Sequence, residues 1–276
     1  MEQVLKTMLE NVRAKSPLVH NITNYVTVND VANVLLAAGG SPIMSDDADD
    51  VEDITSICGG LNINIGTLNK NTIPSMFLAG KKANALGHIV LLDPVGAGAS
   101  RLRTDTANRL MREVRFDAVR GNISEIKTLC TGSGTTKGVD ADAVDAVTEA
   151  NLDDGVALVK AFARQAGCII AVTGAIDLVS DGERCWCIRN GRAEMSRITG
   201  TGCQLSALMT AFLVANPDHK LEAAAAAVCM MGLAGEIGWA NMQPGDGNST
   251  YRNRIIDAIF NMTGDALEEG AKYELR

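Results

Sequence analysis

The chain has little positive charge to spare. Its 276 residues carry 25 Lys and Arg against 33 Asp and Glu, for a formal net charge of −8. Such a surface repels polyanions at long range, which argues against nucleic acid or an anionic membrane as a partner and confines any phosphate recognition to a local site. Histidine is scarce as well: His20, His88 and His219 stand far apart, with no metal-ligand spacing such as H-x-x-x-H. The seven cysteines include no C-x-x-C, and Cys185 and Cys187 have the i, i+2 spacing that shares one face of a strand. An odd count without a signal-peptide pattern predicts reduced thiols.

Long hydrophobic runs are also missing. "MEQVLKTMLENVRAK" has no apolar core of signal-peptide length; Val4, Leu5, Met8, Leu9 and Val12 fall instead at the spacing of a surface helix. The most apolar run, "AAAAAVCMMGLAG" from Ala223, is bounded by Glu222 and Glu236 and reads as too short and Ala-rich to span a bilayer. These features predict a cytoplasmic chain with no membrane partner. With no internal repeat, low-complexity linker or composition break, residues 1–276 are expected to form one domain.

What is present is an alternation of short β-rich runs and helical patterns. The runs 61–66, 87–93, 116–121 and 167–174 look like buried strands, with helix-length stretches at 104–114 and 155–165 between them. That rhythm predicts an α/β fold, a mostly parallel sheet with helices on both faces. After Asp177 an Asp-Gly and an Asn-Gly separate short strands, the turn chemistry of an antiparallel edge. From Gly202 onward the pattern is helical, over 203–215, 221–242 and 251–269. The acidic run "SDDADDVED" lacks the glycine and terminal glutamate of a calcium loop and reads as a solvated lead into a helix.

In open parallel sheets ligands gather at the carboxyl ends of strands, so polar residues just after apolar runs are the ones to collect. "LLDPVGAG" supplies Asp93, "VRGNISEI" supplies Arg120, Asn122 and Glu125, and "AVTG" supplies Thr173. "ITGTGC" sets Gly200, Thr201, Gly202 and Cys203 at a helix start. Together they point to Mg²⁺-dependent phosphoryl transfer. The turn and helix N-terminus would aim N–H groups at an anion. Asp93 and Glu125 would hold hydrated Mg²⁺, and Arg120 would pair with a nucleotide phosphate. Singly, each has a plainer reading: a tight turn, a strand end before Pro94, a helix cap at Asn122. Neither "GAGASR" nor "GTGCQL" has the third glycine of a dinucleotide fingerprint, and "GSGTTKG" (132–138) puts its lysine in the wrong place for a P-loop.

At these residues the sequence resembles the hydroxyethylthiazole kinase family of the ribokinase-like superfamily. "SPLVHNITNYV", "DPVGAG", "RGNISEI" and "ITGTGC" match that family's motifs in order over roughly two-thirds of the chain. "QPGDGNSTYRNRIIDAIF" matches more loosely, with Asp246 and Asn248 where a simpler glycine-rich turn is expected. The resemblance implies a three-layer α/β/α fold, with a mostly parallel central sheet and a small antiparallel edge. It also implies transfer of the ATP γ-phosphoryl to the primary alcohol of 4-methyl-5-(2-hydroxyethyl)thiazole, in thiamine biosynthesis or salvage. It places Met44 and Gly200 at the thiazole, with Asn24, Val26 and Gly66. Arg120 and Thr173 fall at ATP, joined by Asn122, and Asp93 and Glu125 around Mg²⁺. It further implies a homotrimer with sites near subunit interfaces.

Many members of that superfamily have aspartate at the position of Cys203. Cys203 is thus expected to orient the substrate hydroxyl and take its proton, while the amides of Gly200, Thr201 and Gly202 stabilise the moving charge. A thiol, with an ordinary pKa of about 8.5, is a weak base. Phosphoryl transfer tolerates one, because its loose transition state needs little early proton removal. The rival readings are a sister kinase for hydroxymethylpyrimidine, pyridoxal or a sugar, a thiol-nucleophile hydrolase or acyltransferase, and a non-catalytic ligand-binding or redox-sensing protein.

Overall fold

In the computed structural model, residues 3–131 and 146–276 are described; the lysine of "GSGTTKG" lies outside them. Six parallel strands, β1 (Leu18–Ile22), β2 (Ser41–Met44), β3 (Gly60–Asn64), β4 (Ile89–Asp93), β5 (Ala118–Asn122) and β6 (Ile169–Thr173), pair in the order β2-β1-β3-β4-β5-β6. Three antiparallel strands extend the β6 edge: β7 (Asp177–Ser180), β8 (Cys185–Ile188) and β9 (Tyr273–Leu275).

The continuous apolar runs become strands because both faces are covered. In β4, Ile89 and Leu91 enter one core while Val90 and Leu92 enter the other, and β6 divides in the same way, Ile169 and Ala171 against Ile170 and Val172. One helical layer holds α3 (Val51–Ile57), α4 (Thr72–Leu86), α5 (Arg101–Glu113), α6 (Ile123–Thr131) and α7 (Leu152–Ala166). The other holds α1 (Val4–Lys15), α2 (Val28–Ala38), α8 (Thr201–Ala215), α9 (Lys220–Ala240), α10 (Asn248–Asn261) and α11 (Gly264–Gly270). The result is the three-layer α/β/α arrangement, and the acidic run is an exposed loop entering α3.

Three local expectations are corrected. Asn190-Gly191 does not turn a hairpin: the chain leaves the sheet for a short 3₁₀ turn at Ala193–Arg197, and β9 arrives from far along the chain. The Asn190 amide is used up as a staple, donating to Gly270 O (3.0 Å) and accepting from Lys272 N (2.7 Å). The stretch 251–269 is two helices, because Thr263 starts α11 by accepting from Ala266 N at 3.1 Å. Finally, the apolar run after Ala223 sits inside a 21-residue helix, α9, long and apolar enough to cross a membrane by length and composition; 78% of its apolar window is buried inside the protein.

The chain runs from β1 outward to β2 and returns on the other side of β1 as β3, so strand order reverses between β1 and β3. A crevice opens outside the carboxyl ends of the strands at such a point. Asn24, Asn64, Asp93 and Thr173 stand at or just beyond those ends, whereas Arg120, expected after its strand, lies inside β5, two residues before its end, and reaches the crevice by the length of its side chain.

Candidate functional site

Asp93 ends β4 in register with Asn64 of β3 and is fully buried. Its Oδ2 accepts from Asn64 Nδ2 (2.8 Å), Ser206 Oγ (2.8 Å) and Arg120 Nη1 (3.5 Å), while Oδ1 has no hydrogen-bond partner among the described residues. Burial raises its pKa against the pull of Arg120 and the other donors. An unsatisfied, buried carboxylate oxygen is what a divalent cation would relieve. Among the described residues no three His, Cys, Asp or Glu side chains form a metal cage; Mg²⁺, which keeps waters and phosphate oxygens, needs only one or two carboxylates. Asp93 fits that requirement.

Glu125 is first a staple. Its Oε1 accepts from Gly96 N (2.7 Å) and its Oε2 from Asn122 N (2.8 Å), while Asn122 Oδ1 accepts from Glu125 N (2.9 Å). The last two bonds are a reciprocal cap on α6, so the capping role of Asn122 is met directly. The first ties down the loop after β4, where Gly96 and Gly98 take positive φ. Each Glu125 oxygen keeps a lone pair, so a cation can share it. Burial and then the neighbouring Asp93 push its pKa up to about 7.

Arg120 joins the two halves of the site. Its guanidinium reaches Asp93 on one side and donates to Thr173 Oγ1 (2.7 Å) on the other. It lines a cavity of about 870 Å³ with Thr173, Asp177, Thr201, Gly202 and the apolar Met231. Gly202 is glycine for a visible reason, since a Cβ there would lie 2.5 Å from the guanidinium nitrogens. Asp177, on the cavity wall, accepts from Gly174 N (2.8 Å) and is pushed up to about 7 by burial.

Cys203, in the first turn of α8, is buried, and its Sγ accepts from Asn24 Nδ2 at 3.2 Å. Burial and then Asp93 raise its pKa, outweighing Arg120 and the amide donors, so the resting thiol holds its proton at neutral pH. Gly200 caps the helix at φ 84°, and a Cβ on it would lie 2.1 Å from Thr27 Cγ2. Met44, half-buried, packs in a small apolar cluster with Cys203, Val19 and Val31. Gly66 N donates to Asn64 Oδ1 (2.9 Å) beside Asn24. Of the expected thiazole residues, Asn24, Gly66, Gly200 and Met44 therefore gather around Cys203 or its hydrogen-bond partners, whereas Val26 is 57% exposed and stands outside that network.

Sequence reasoning missed Asn64, Ser206, Thr27 and Asp177. Asn64 carried a readable signal, being polar at the carboxyl end of the apolar run "LNINIG".

A pH dependence follows from Glu125 and Asp177. Their folded pKa values lie above the ordinary carboxylate values, so the folded state binds more protons than the unfolded one between about pH 4 and 7. Their contribution to stability is present at acid pH and is lost as pH rises through 7. Thermal melts of metal-free protein at fixed ionic strength should show Tm falling between pH 5 and 8, with Mg²⁺ recovering more at pH 8. A Tm that rises across that range would contradict the burial of these carboxyls.

A model of the Hydroxyethylthiazole kinase family matches residues 9–265. A hydroxyethylthiazole kinase from Clostridium acetobutylicum is 58% identical over 98% of this chain and 99% of its own. The solved hydroxyethylthiazole kinase from Pyrococcus horikoshii superposes with a TM-score of 0.87 at 32% identity, covering 99% of this chain and 98% of its own. A Staphylococcus aureus pyridoxal kinase holding AMP-PCP and pyridoxal shares the fold at 16% identity and a TM-score of 0.59, over 94% of this chain and 98% of its own.

Proposed function

With the chain a member of the hydroxyethylthiazole kinase family, we propose that it transfers the γ-phosphoryl group of ATP to the primary hydroxyl of hydroxyethylthiazole, serving thiamine salvage, at the crevice between Asn24 and Thr173. The observation that carries this reading is the Arg120 guanidinium, which links Asp93 to Thr173 beneath the Gly200–Gly202 turn.

ATP occupies the cavity, its triphosphate directed at Arg120, Thr173 and the start of α8. Arg120 offsets the phosphate charge. The backbone amides at the helix start face the moving phosphoryl group and stabilise its charge without reorganising. Thiazole lies on the other side of Cys203, against Asn24, Gly66, Gly200 and Met44, with its hydroxyl at the sulfur. Cys203 accepts that hydroxyl's hydrogen bond and orients the attacking oxygen; in a loose transition state the proton leaves late and passes to an oxygen of the transferred phosphoryl group, so a protonated resting thiol is no obstacle. Asp93 and Glu125 would hold Mg²⁺, which would neutralise phosphate charge. Asn122 shapes the ATP side through its cap on Glu125. The reading extends to residues 1–276 as one kinase domain acting in the cytoplasm as a homotrimer.

The test is ADP release from ATP and Mg²⁺ with hydroxyethylthiazole, hydroxymethylpyrimidine and pyridoxal offered separately. Turnover is expected with the thiazole. Turnover only with another alcohol would overturn the substrate, and none with any of the three would overturn the reaction.

A further inference from the structure

The Asn64 side chain is engaged on both its amide nitrogen and its oxygen. Its Nδ2 donates to Asp93 Oδ2 (2.8 Å), and its Oδ1 accepts from Gly66 N (2.9 Å) and Asn24 Nδ2 (3.1 Å). A carboxylate only accepts and a backbone N–H only donates, so the amide has a single workable orientation. Asn24 is fixed in the same way. Its Oδ1 accepts from Thr27 N (3.1 Å) and Thr27 Oγ1 (3.0 Å), which turns its NH₂ toward Asn64 and Cys203 Sγ. The chain has no room to pivot, because a Cβ on Gly66 would already lie 3.0–3.2 Å from the Asn64 and Asn24 side chains.

We propose that Asn64 is a positioning residue for phosphoryl transfer: one buried amide sets the Asp93 carboxyl and, through Asn24, the Cys203 sulfur in a common register. This rests on the reading above, which puts Asp93 beside the metal and Cys203 at the substrate hydroxyl. It adds the link between them. The phosphate side and the hydroxyl side of an in-line transfer must be aligned to a fraction of an ångström, and directed amide dipoles do this with no mobile charge. Asn62, two residues earlier on β3 and equally buried, is a built-in contrast. Its Nδ2 donates to Asn21 Oδ1 (3.1 Å), and none of its hydrogen bonds joins this chain.

The experiment compares Asn64→Ala with Asn62→Ala, using steady-state kinetics and the rate of iodoacetamide alkylation of Cys203, followed by peptide mass mapping on ligand-free protein. For Asn64→Ala, kcat should fall about 10- to 100-fold, as for other partners that orient a ligating carboxylate, with KM for ATP changed less than about threefold. Alkylation of Cys203 should slow, because the Asn64 amide that favours the thiolate is gone and the Asn24 donor is no longer held. Asn62→Ala should lower Tm while leaving kcat within about twofold of the parent. Should Asn64→Ala fail to fold, Asn64→Ser keeps a polar atom for Gly66 N but cannot span Asp93 and Asn24, and the same losses are expected. In a Cys203→Ser background the loss from Asn64→Ala should shrink, the mark of two residues acting as a unit.

Unchanged or faster alkylation, or a kcat loss in Asn62→Ala equal to that in Asn64→Ala, would overturn the proposal. So would losses that multiply in full in the double variant. A fully active Cys203→Ser would instead remove the role assigned to Cys203, a failure visible without touching Asn64.

Discussion

Arg120→Ala should lower kcat/KM for ATP by about a thousandfold, the scale of losing an arginine that stabilises a transferring phosphoryl group. Two of its interactions go at once: the donor to Thr173 on the nucleotide side, and the counter-charge to a fully buried Asp93. Stability should fall as well, since removing one partner of a buried pair leaves the other uncompensated, at a cost of about 3–5 kcal/mol. Arg120→Lys separates the two effects. A single ammonium restores the charge but cannot reach Asp93 and Thr173 together, so most of the stability should return while activity stays well below the parent. Steady-state kinetics and urea midpoints on the two variants measure both. Near-parental kcat/KM in Arg120→Ala would remove Arg120 from the nucleotide site.

Cys203→Ser should lower kcat about a hundredfold, the scale of misplacing the attacking oxygen, with KM for ATP nearly unchanged. The sulfur touches Asn24 and the apolar cluster around Met44, and it does not line the ATP cavity. A serine hydroxyl is smaller and still less basic, so the attacking oxygen loses its guide while the phosphate contacts proposed for Arg120 and Thr173 persist. Because the thiol pKa is raised by burial and by Asp93, the residual activity should show no new ionisation near neutral pH. A variant with parental kcat would mean that Cys203 only packs the start of α8.

The central strands were legible because covering both faces of a sheet demands apolar runs, and β4 and β6 are unbroken up to their last residue. Polar residues at the ends of those runs gave Asp93 and Thr173 for the same reason: at a strand end the core stops and the crevice begins. What was not legible depends on partners far along the chain. Asn190-Gly191 reads locally as a hairpin turn, and only the Gly270 and Lys272 backbone reveals the staple. Asn64 shows its polarity at the end of its run, but the residues it joins appear only when Asp93 and Asn24 are seen on either side of it. Glu125 looks like a free carboxylate in sequence, and its backbone partners appear only once the loop after β4 folds over it.

Helix α9 carries a consequence for synthesis. Its apolar residues are spread around the helix, and α8, α10, α11 and the sheet all pack against it. Some of that cover is translated before α9 and some after it, so during synthesis there is an interval when a membrane-length apolar segment has been made and its cover by α10 and α11 has not. During that interval the segment satisfies the length and hydropathy by which spanning helices are recognised. Its concealment is therefore a matter of timing as much as of packing, and a released chain ending between residues 240 and 247 would hold α9 without the cover of α10 and α11.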